Sequence, residues 1–317
     1  MIDFKHYTVM KNEAVNALEC DKEGREELIY IDATLGGGGH SELILKQIKP
    51  SGRLISFDID DDAIAAASER LKDYKNLTIV KDSYTNIKKV LQDLNIDKIT
   101  GGIVFDLGAS YHQLTKAERG FSFSKNAPLD MRFNTSDEKS AYDVVNTYSE
   151  ADLVRIFSEY GEERFSKRIA KKIIEQRKVK SIETTSELAD LIIQATPRVK
   201  SAIHPATRVF QAIRIEVNQE LTNVKKALEE VLALSSDGAI ISVISFHSLE
   251  DRIVKNFFRH HSLKCRCERN QMVCKCGPPE LEVITKKPIL ATVEEVEENP
   301  PSRSAKLRIA RVAKAQN

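Results

Sequence analysis

The chain has 317 residues, 41% of them hydrophobic, enough for a full core and for one large domain carrying a second, smaller one. Its formal net charge of +1, with 30% of residues charged, excludes bulk charge as the selector of a partner, so any electrostatic argument rests on local clustering. No run of about 18 apolar residues occurs, and the opening MIDFKHYTVMKNEAV lacks the basic-then-apolar order of a secretory signal, so a soluble, cytoplasmic protein with no membrane partner is expected.

From residue 28 the pattern alternates. LIYIDATL reads as a strand, HSELILKQI as a helix, GRLISFDID as a strand, and DDAIAAASERL as a helix whose acidic opening suits its positive end. NLTIVKDS, a helix through TNIKKVLQDL and the strand GGIVFDLG complete βαβαβαβ, the order of a doubly wound parallel sheet. After Gly108 the rhythm stops: residues 110–135 are irregular and polar, and from about 140 to 232 the pattern is helical. In RFSKRIAKKIIEQR the apolar Phe165, Ile169 and Ile173 recur every four residues with Ile174 beside them, and lysines and arginines fill most of the other positions. GAIISVISF then resumes the sheet, SLEDRIVKNFFRHH is a helix, VEEVEENPPSRS reads as a surface connection, and SAKLRIARVA as a late strand. The expected architecture is an α/β domain of residues 1–110 and 215–317 with an inserted, mainly helical domain of residues 111–214.

DATLGGGGHS puts four consecutive glycines between a strand's C-terminal end and a helix's N-terminus. Glycines there permit a tight turn and bring backbone N–H groups against a ligand, in the crevice where open α/β sheets bind. Asp58 ends the second strand, where a carboxylate accepts both hydroxyls of a ribose. The G-x-G-x-x-G spacing of a dinucleotide site is not cleanly present, because His40 follows the glycines. Asp32, at the end of the first strand, would repel a pyrophosphate and favour the ammonium of an amino-acid moiety. Together these features fit S-adenosylmethionine better than a dinucleotide.

At this point the residues resemble the bacterial small-subunit ribosomal RNA methyltransferase H family. The stretches that carry the resemblance are DATLGGGGHS (32–41), RGFSFSKNAPLDMRF (119–133), RIFSEYGEERFSKRIA (155–170), HPATRVFQAIRIEVNQEL (204–221), SFHSLEDRIVKNFF (245–258) and NPPSRSAKLRIA (299–310), in order and nearly end to end. The resemblance implies a class I (Rossmann-like) methyltransferase fold with an inserted helical RNA-recognition domain. It also implies S-adenosylmethionine-dependent methylation of the N4 amine of a cytidine in the decoding region of 16S ribosomal RNA. By the same resemblance Gly38, Gly39 and His40 lie along the methionine part of the cofactor, Asp58 holds its ribose, Tyr84 packs by the adenine, and Asp106 and Gln113 complete the pocket. Two departures stand out. Tyr84 occupies a place where the family usually has phenylalanine, and DLGASYHQL replaces the common DLGVSSPQL, so Ala109, Tyr111 and His112 differ while Asp106, Ser110 and Gln113 remain. The expected partners are small-subunit ribosomal RNA, bare or in the assembled small subunit, and a second copy of the chain in a homodimer.

A sulfonium methyl is already activated, so the protein must align an amine with it and exclude water. Cytosine's exocyclic lone pair is delocalised into the ring, and acceptors that hold its N–H groups would localise it. Asp106 at the fourth strand's end is expected to shape both pocket and catalytic edge, with Ser110 touching the base. GFSFSKNAPLDMR offers Phe121, Phe123, Asp130 and Arg132 as a loop that closes over a flipped base or anchors itself to the core. Residues 155–214 hold 13 Lys or Arg against 7 Asp or Glu, a concentration suited to phosphate, and His204, Arg208 and Arg214 are candidates for RNA contact or for domain packing. The tail adds Arg303, Lys306, Arg308, Arg311 and Lys314 with no acid from residue 301 onward, and His247 is expected to order a strand-to-helix turn.

Cys265, Cys267, Cys274 and Cys276 form C-x-C-x6-C-x-C. Four thiolates suit Zn²⁺, although the usual knuckle is C-x2-C; reduced surface thiols or a redox-formed pair are the alternatives. Three competing functions stay in view. A DNA amino-methyltransferase is disfavoured by DLGAS in place of an Asn/Asp-Pro-Pro-Tyr pattern, and an NAD-dependent oxidoreductase by the glycine spacing. A non-catalytic ribosome-assembly factor with a retained cofactor pocket is excluded only by turnover.

Overall fold

The computed structural model describes residues 8–108, 116–197, 204–267 and 276–314. The chain divides into two compact units, one of Met1–Gly108 with Leu221–Asn317 and one of Ala109–Glu220.

The first unit is an eight-stranded sheet: β1 (Ile29–Asp32), β2 (Arg53–Asp58), β3 (Leu77–Lys81), β4 (Gly102–Asp106), β5 (Ile240–Ser245), β6 (Leu281–Val283), β7 (Ile289–Leu290) and β8 (Lys306–Val312). The order is β3-β2-β1-β4-β5-β8-β6, with β7 also on β8; the first five strands run parallel and β8 lies antiparallel to β5. The period of two along each strand fills both faces. Ile31, Ile55, Phe57, Ile103, Phe105, Ile241 and Val243 enter one core, while Tyr30, Leu54, Val104, Ile240 and Ile244 enter the other. Burial on both sides explains why these strands read as nearly unbroken apolar runs. The doubly wound α/β expectation therefore holds.

Helices Gly39–Gln47, Asp61–Arg70 and Ile87–Asp93 link the first four strands. Asp60 starts the second of these by accepting the Asp62 N–H at 3.0 Å. A short helix, Lys11–Asn16, precedes the sheet and buries Ala14 and Val15. Among the described residues no helix is long and apolar enough to cross a membrane.

The second unit packs helices Ala141–Thr147, Glu150–Glu159, Ser166–Arg177, Thr185–Ala195 and Thr207–Asn218 on a core that includes Val144, Phe157, Ile169, Ile173, Leu188, Ile192 and Ile213. Ser140 and Thr184 open two of these helices with capping boxes. The expected domain edge at residue 214 falls inside Thr207–Asn218. That helix buries Val209, Phe210, Ile213 and Val217 in the second core, so the chain turns only at Gln219, which is left-handed at φ 50°. The next helix, Glu220–Leu234, places Val224, Ala227, Leu228 and Val231 in the sheet's core.

The stretch 293–304 is not the plain connection its composition suggests. Thr292 caps helix Val293–Glu298, and a 3-10 turn, Pro300–Ser304, buries Ser302. Glu295 of that helix accepts the Met10 N–H at 2.7 Å, which ties it to the rest of the first unit.

Candidate active site

β1 pairs with both β2 and β4, so the crossover direction reverses between β1 and β4. The carboxyl ends of strands at such a switch point are where open α/β sheets bind ligands. Three carboxylates end the strands there: Asp32 on β1, Asp58 on β2 and Asp106 on β4.

The glycine turn joins β1 to helix Gly39–Gln47. Gly38 is left-handed at φ 77°, and a Cβ on it would come within 3.1 Å of Leu71 and 3.3 Å of Ala67. A Cβ on Gly39 would overlap the Thr8 side chain. The bare backbone at these two positions therefore has a source inside the protein, in addition to any ligand.

Asp58 is held by that turn. Its Oδ2 accepts the Gly36 N–H at 2.8 Å, and its Oδ1 accepts those of Ile59 at 2.8 Å and Asp60 at 2.9 Å. Burial raises its pKa. A carboxylate offers about four lone-pair sites, so capacity remains beyond these donors.

Asp32 differs from its expected role. It is fully buried: Oδ2 accepts the Ser41 hydroxyl at 2.7 Å, Oδ1 accepts the Thr34 N–H at 3.1 Å, and Ser41 in turn meets Ser56 at 2.8 Å. Burial pushes its carboxyl up to about 6. Asp32 is thus an internal brace between strand and helix, which corrects the reading that it faces an amino-acid ammonium.

Asp106 has the opposite character. Its backbone N–H donates to Thr34 Oγ1 at 2.7 Å, while the side-chain Oδ1 is buried and has no hydrogen-bond partner. Oδ2 lies 4.0 Å from His40 Nδ1. His40 is itself buried, with Nε2 3.1 Å from the Val9 carbonyl, so a proton on Nε2 leaves Nδ1 an acceptor toward Asp106. Burial, reinforced by the charges of Asp32, Glu250 and Glu295, raises the Asp106 carboxyl well above its ordinary range. Beside it, the Phe105 ring meets Tyr84 edge to face, with centroids 5.7 Å apart.

His247 caps helix Ser248–His261 in a box with Glu250, which is buried and also accepts the Phe246 N–H at 2.9 Å. Thr34 and Glu250 are site residues that the sequence reading did not single out. The H-S-L-E spacing, one residue away from an S/T-x-x-E box, was the available signal for Glu250. Ser110 and Gln113 lie outside the described residues.

The sequence model of the MraW methylase family matches residues 3–313. The chain belongs to the MraW methylase family. Similar relatives include the ribosomal RNA small subunit methyltransferase H of Caldicellulosiruptor bescii, 52% identical over 308 residues that span 97% of this chain and 99% of the relative. The protein of the same name from Clostridium botulinum strain Loch Maree is 50% identical over 313 residues, and that of Clostridioides difficile strain 630 is 47% identical over 313; each match spans 98% of this chain and 99% of the relative.

In this MraW-family chain the candidate RNA residues of the second unit fall into two groups. One group is committed to internal structure. Arg132 clasps Asp130 through Nη2–Oδ2 at 2.7 Å and Nε–Oδ1 at 3.0 Å, and Arg214 holds Glu220 through two contacts of 2.9 Å. Phe121 is buried and stacked on Phe133. The other group faces solvent. The exposed His204 stacks on Phe123 at 4.5 Å, Arg208 is exposed, and Lys167, Arg168 and Lys171 line the outer face of helix Ser166–Arg177, whose Ile169 and Ile173 are buried.

The basic tail is largely occupied. Because β8 is a sheet strand, Arg308 is buried against Asp251 at 2.6 Å, Arg311 reaches Glu19 at 3.1 Å, and Lys314 binds the Ser235 carbonyl at 2.6 Å. Of the cysteine cluster, Cys265, Cys267 and Cys276 bring their sulfurs within 4.8 Å of one another, and Cys274 lies outside the described residues.

Proposed function

We propose that this methyltransferase moves a methyl group from S-adenosylmethionine to the N4 amine of a cytidine in the decoding region of small-subunit ribosomal RNA, in the cytoplasm. Support comes from near-full-length relatives named for small-subunit ribosomal RNA. The observation that carries the chemistry is the enclosed, partnerless Oδ1 of Asp106 at the mouth of β4.

S-adenosylmethionine, when bound, supplies a methyl group already activated on a sulfonium. The residues present fit it. Gly38, Gly39 and His40 would line its methionine part, the remaining lone-pair capacity of Asp58 would take ribose hydroxyls, and the Tyr84 ring would pack by the adenine. Asp106 Oδ1 accepts an N–H of the exocyclic amine, which localises the nitrogen lone pair for attack and gives the departing proton an acceptor. Ser110 beside the base and Gln113 in the pocket are assigned on their places in the DLGASYHQL motif.

RNA is held by exposed cations and stacking. The Phe123–His204 pair offers an aromatic platform, and Lys167, Arg168, Lys171 and Arg208 offer phosphate contacts. Changing Lys167, Arg168 and Lys171 together to alanine is expected to weaken RNA binding at all sequences alike. It should also flatten the slope of log affinity against log salt by about 2, given roughly 0.7 per phosphate contact on single strands. Filter binding across a salt series reads both.

The function itself is tested with labelled S-adenosylmethionine and small subunits lacking the modification, followed by digestion and nucleoside mass spectrometry. N4-methylcytidine is expected. Cofactor binding without incorporation on subunits or on bare RNA would instead indicate an assembly factor.

A further inference from the structure

Residues 262–280 join helix Ser248–His261 to β6, a long span for a connection between elements, and Leu263 near its start is 42% exposed. The sulfurs of Cys265, Cys267 and Cys276 converge to within 4.8 Å of one another, with Cys267 and Cys276 3.4 Å apart. None of the three is disulfide-bonded. Tetrahedral zinc with Zn–S near 2.3 Å sets its sulfurs about 3.8 Å apart, whereas a disulfide draws them to about 2.05 Å. The 3.4 Å contact lies nearer the first spacing than the second.

Two further contacts fit a thiolate site. The Arg266 backbone N–H donates to Cys276 Sγ at 3.0 Å, a bond that stabilises negative sulfur. The Arg266 guanidinium binds the Leu263 and Pro278 carbonyls, each at 3.2 Å, and pairs with Glu280 at 3.3 Å, which draws the two arms of the segment together. In a Cys-x-Cys pair on extended backbone, both side chains project to the same face. The neighbouring His261 is occupied by Glu280 at 2.9 Å, so the donors at hand are sulfur.

We propose that Cys265, Cys267 and Cys276 bind one Zn²⁺ that ties residues 262–267 to residues 276–280. Each cysteine gives up its proton as the metal binds. Soft thiolate donors without carboxylate or imidazole favour zinc over magnesium, calcium or manganese. The site stands apart from the methyl-transfer reading and is tested without measuring activity.

The test is elemental analysis of the reduced full-length protein, purified without added metal or chelator, together with the visible spectrum after exchange to Co²⁺. About one zinc per chain and the sulfur-to-cobalt charge-transfer bands of a tetrahedral thiolate site are expected. Both should vanish in the double variant Cys267→Ser, Cys276→Ser and persist in Cys20→Ala. Should the double variant fail to fold, the wild-type cobalt spectrum still decides. Less than about a tenth of a zinc per chain with no cobalt–thiolate bands would overturn the proposal. So would a Cys267–Cys276 disulfide found in protein kept under reductant.

Discussion

Asp106→Asn is expected to lower kcat by about 10²-fold or more while raising the melting temperature by a few degrees. The two effects have one source. The Asp106 carboxyl is pushed up by burial and by Asp32, Glu250 and Glu295, and its Oδ1 has no partner, so ionising it in the folded protein is costly. A carboxyl whose folded pKa exceeds its unfolded value binds more protons folded than unfolded between those two values. Across that window, from 3.8 upward, stability falls as pH rises. The amide of Asp106→Asn cannot ionise, so the variant should be the more stable at neutral pH and its stability should decline less over the same window. Asp32, raised from 3.8 to about 6, adds a decline of the same sign between those values in both proteins. Turnover runs the other way: the group must be ionised to take a proton from the amine, so wild-type kcat rises with pH and the residual rate of Asp106→Asn does not. Calorimetry over a pH series and single-turnover methylation provide the readings. A variant with full turnover removes Asp106 from the chemistry, and one that melts lower shows that Oδ1 serves the fold.

Much of this arrangement was legible in sequence because burial writes it there. β1, β2, β4 and β5 are apolar on both faces, so their runs stand out, and the glycine turn marks the end of β1. What stayed hidden depends on partners distant in the chain. Nothing near Arg308 announces Asp251, nor near Arg311 Glu19, so a count of tail cations overstates the charge available to RNA. Asp32 looks like a ligand contact until Ser41 and Ser56 are placed around it. Helix Lys11–Asn16 is too short to show a period, and β7 has only two residues. The second edge of the helical unit is invisible for another reason: amphipathic periodicity continues through residues 207–234, and only the left-handed Gln219 separates one core from the other.

At that corner Arg214→Leu is expected to destabilise the helical unit by about 3 kcal/mol, the low end for breaking a buried ion pair. Arg214 lies near the end of Thr207–Asn218, and its guanidinium makes a bidentate clasp, two contacts of 2.9 Å, on Glu220 just past the left-handed turn. The Glu220 side chain is 5% exposed and that of Arg214 17%, so removing the cation leaves a carboxylate that water cannot readily solvate. Arg214→Lys keeps the charge but loses the planar fork, and should fall between the two. Arg208→Ala, on the exposed side of the same helix, should leave stability within about 0.5 kcal/mol and weaken RNA binding. Urea unfolding of the three variants, set beside RNA affinity at fixed salt, separates packing from contact. Should Arg214→Leu unfold at the wild-type midpoint yet lose RNA affinity, Arg214 works at the RNA, and the clasp on Glu220 is only its resting place.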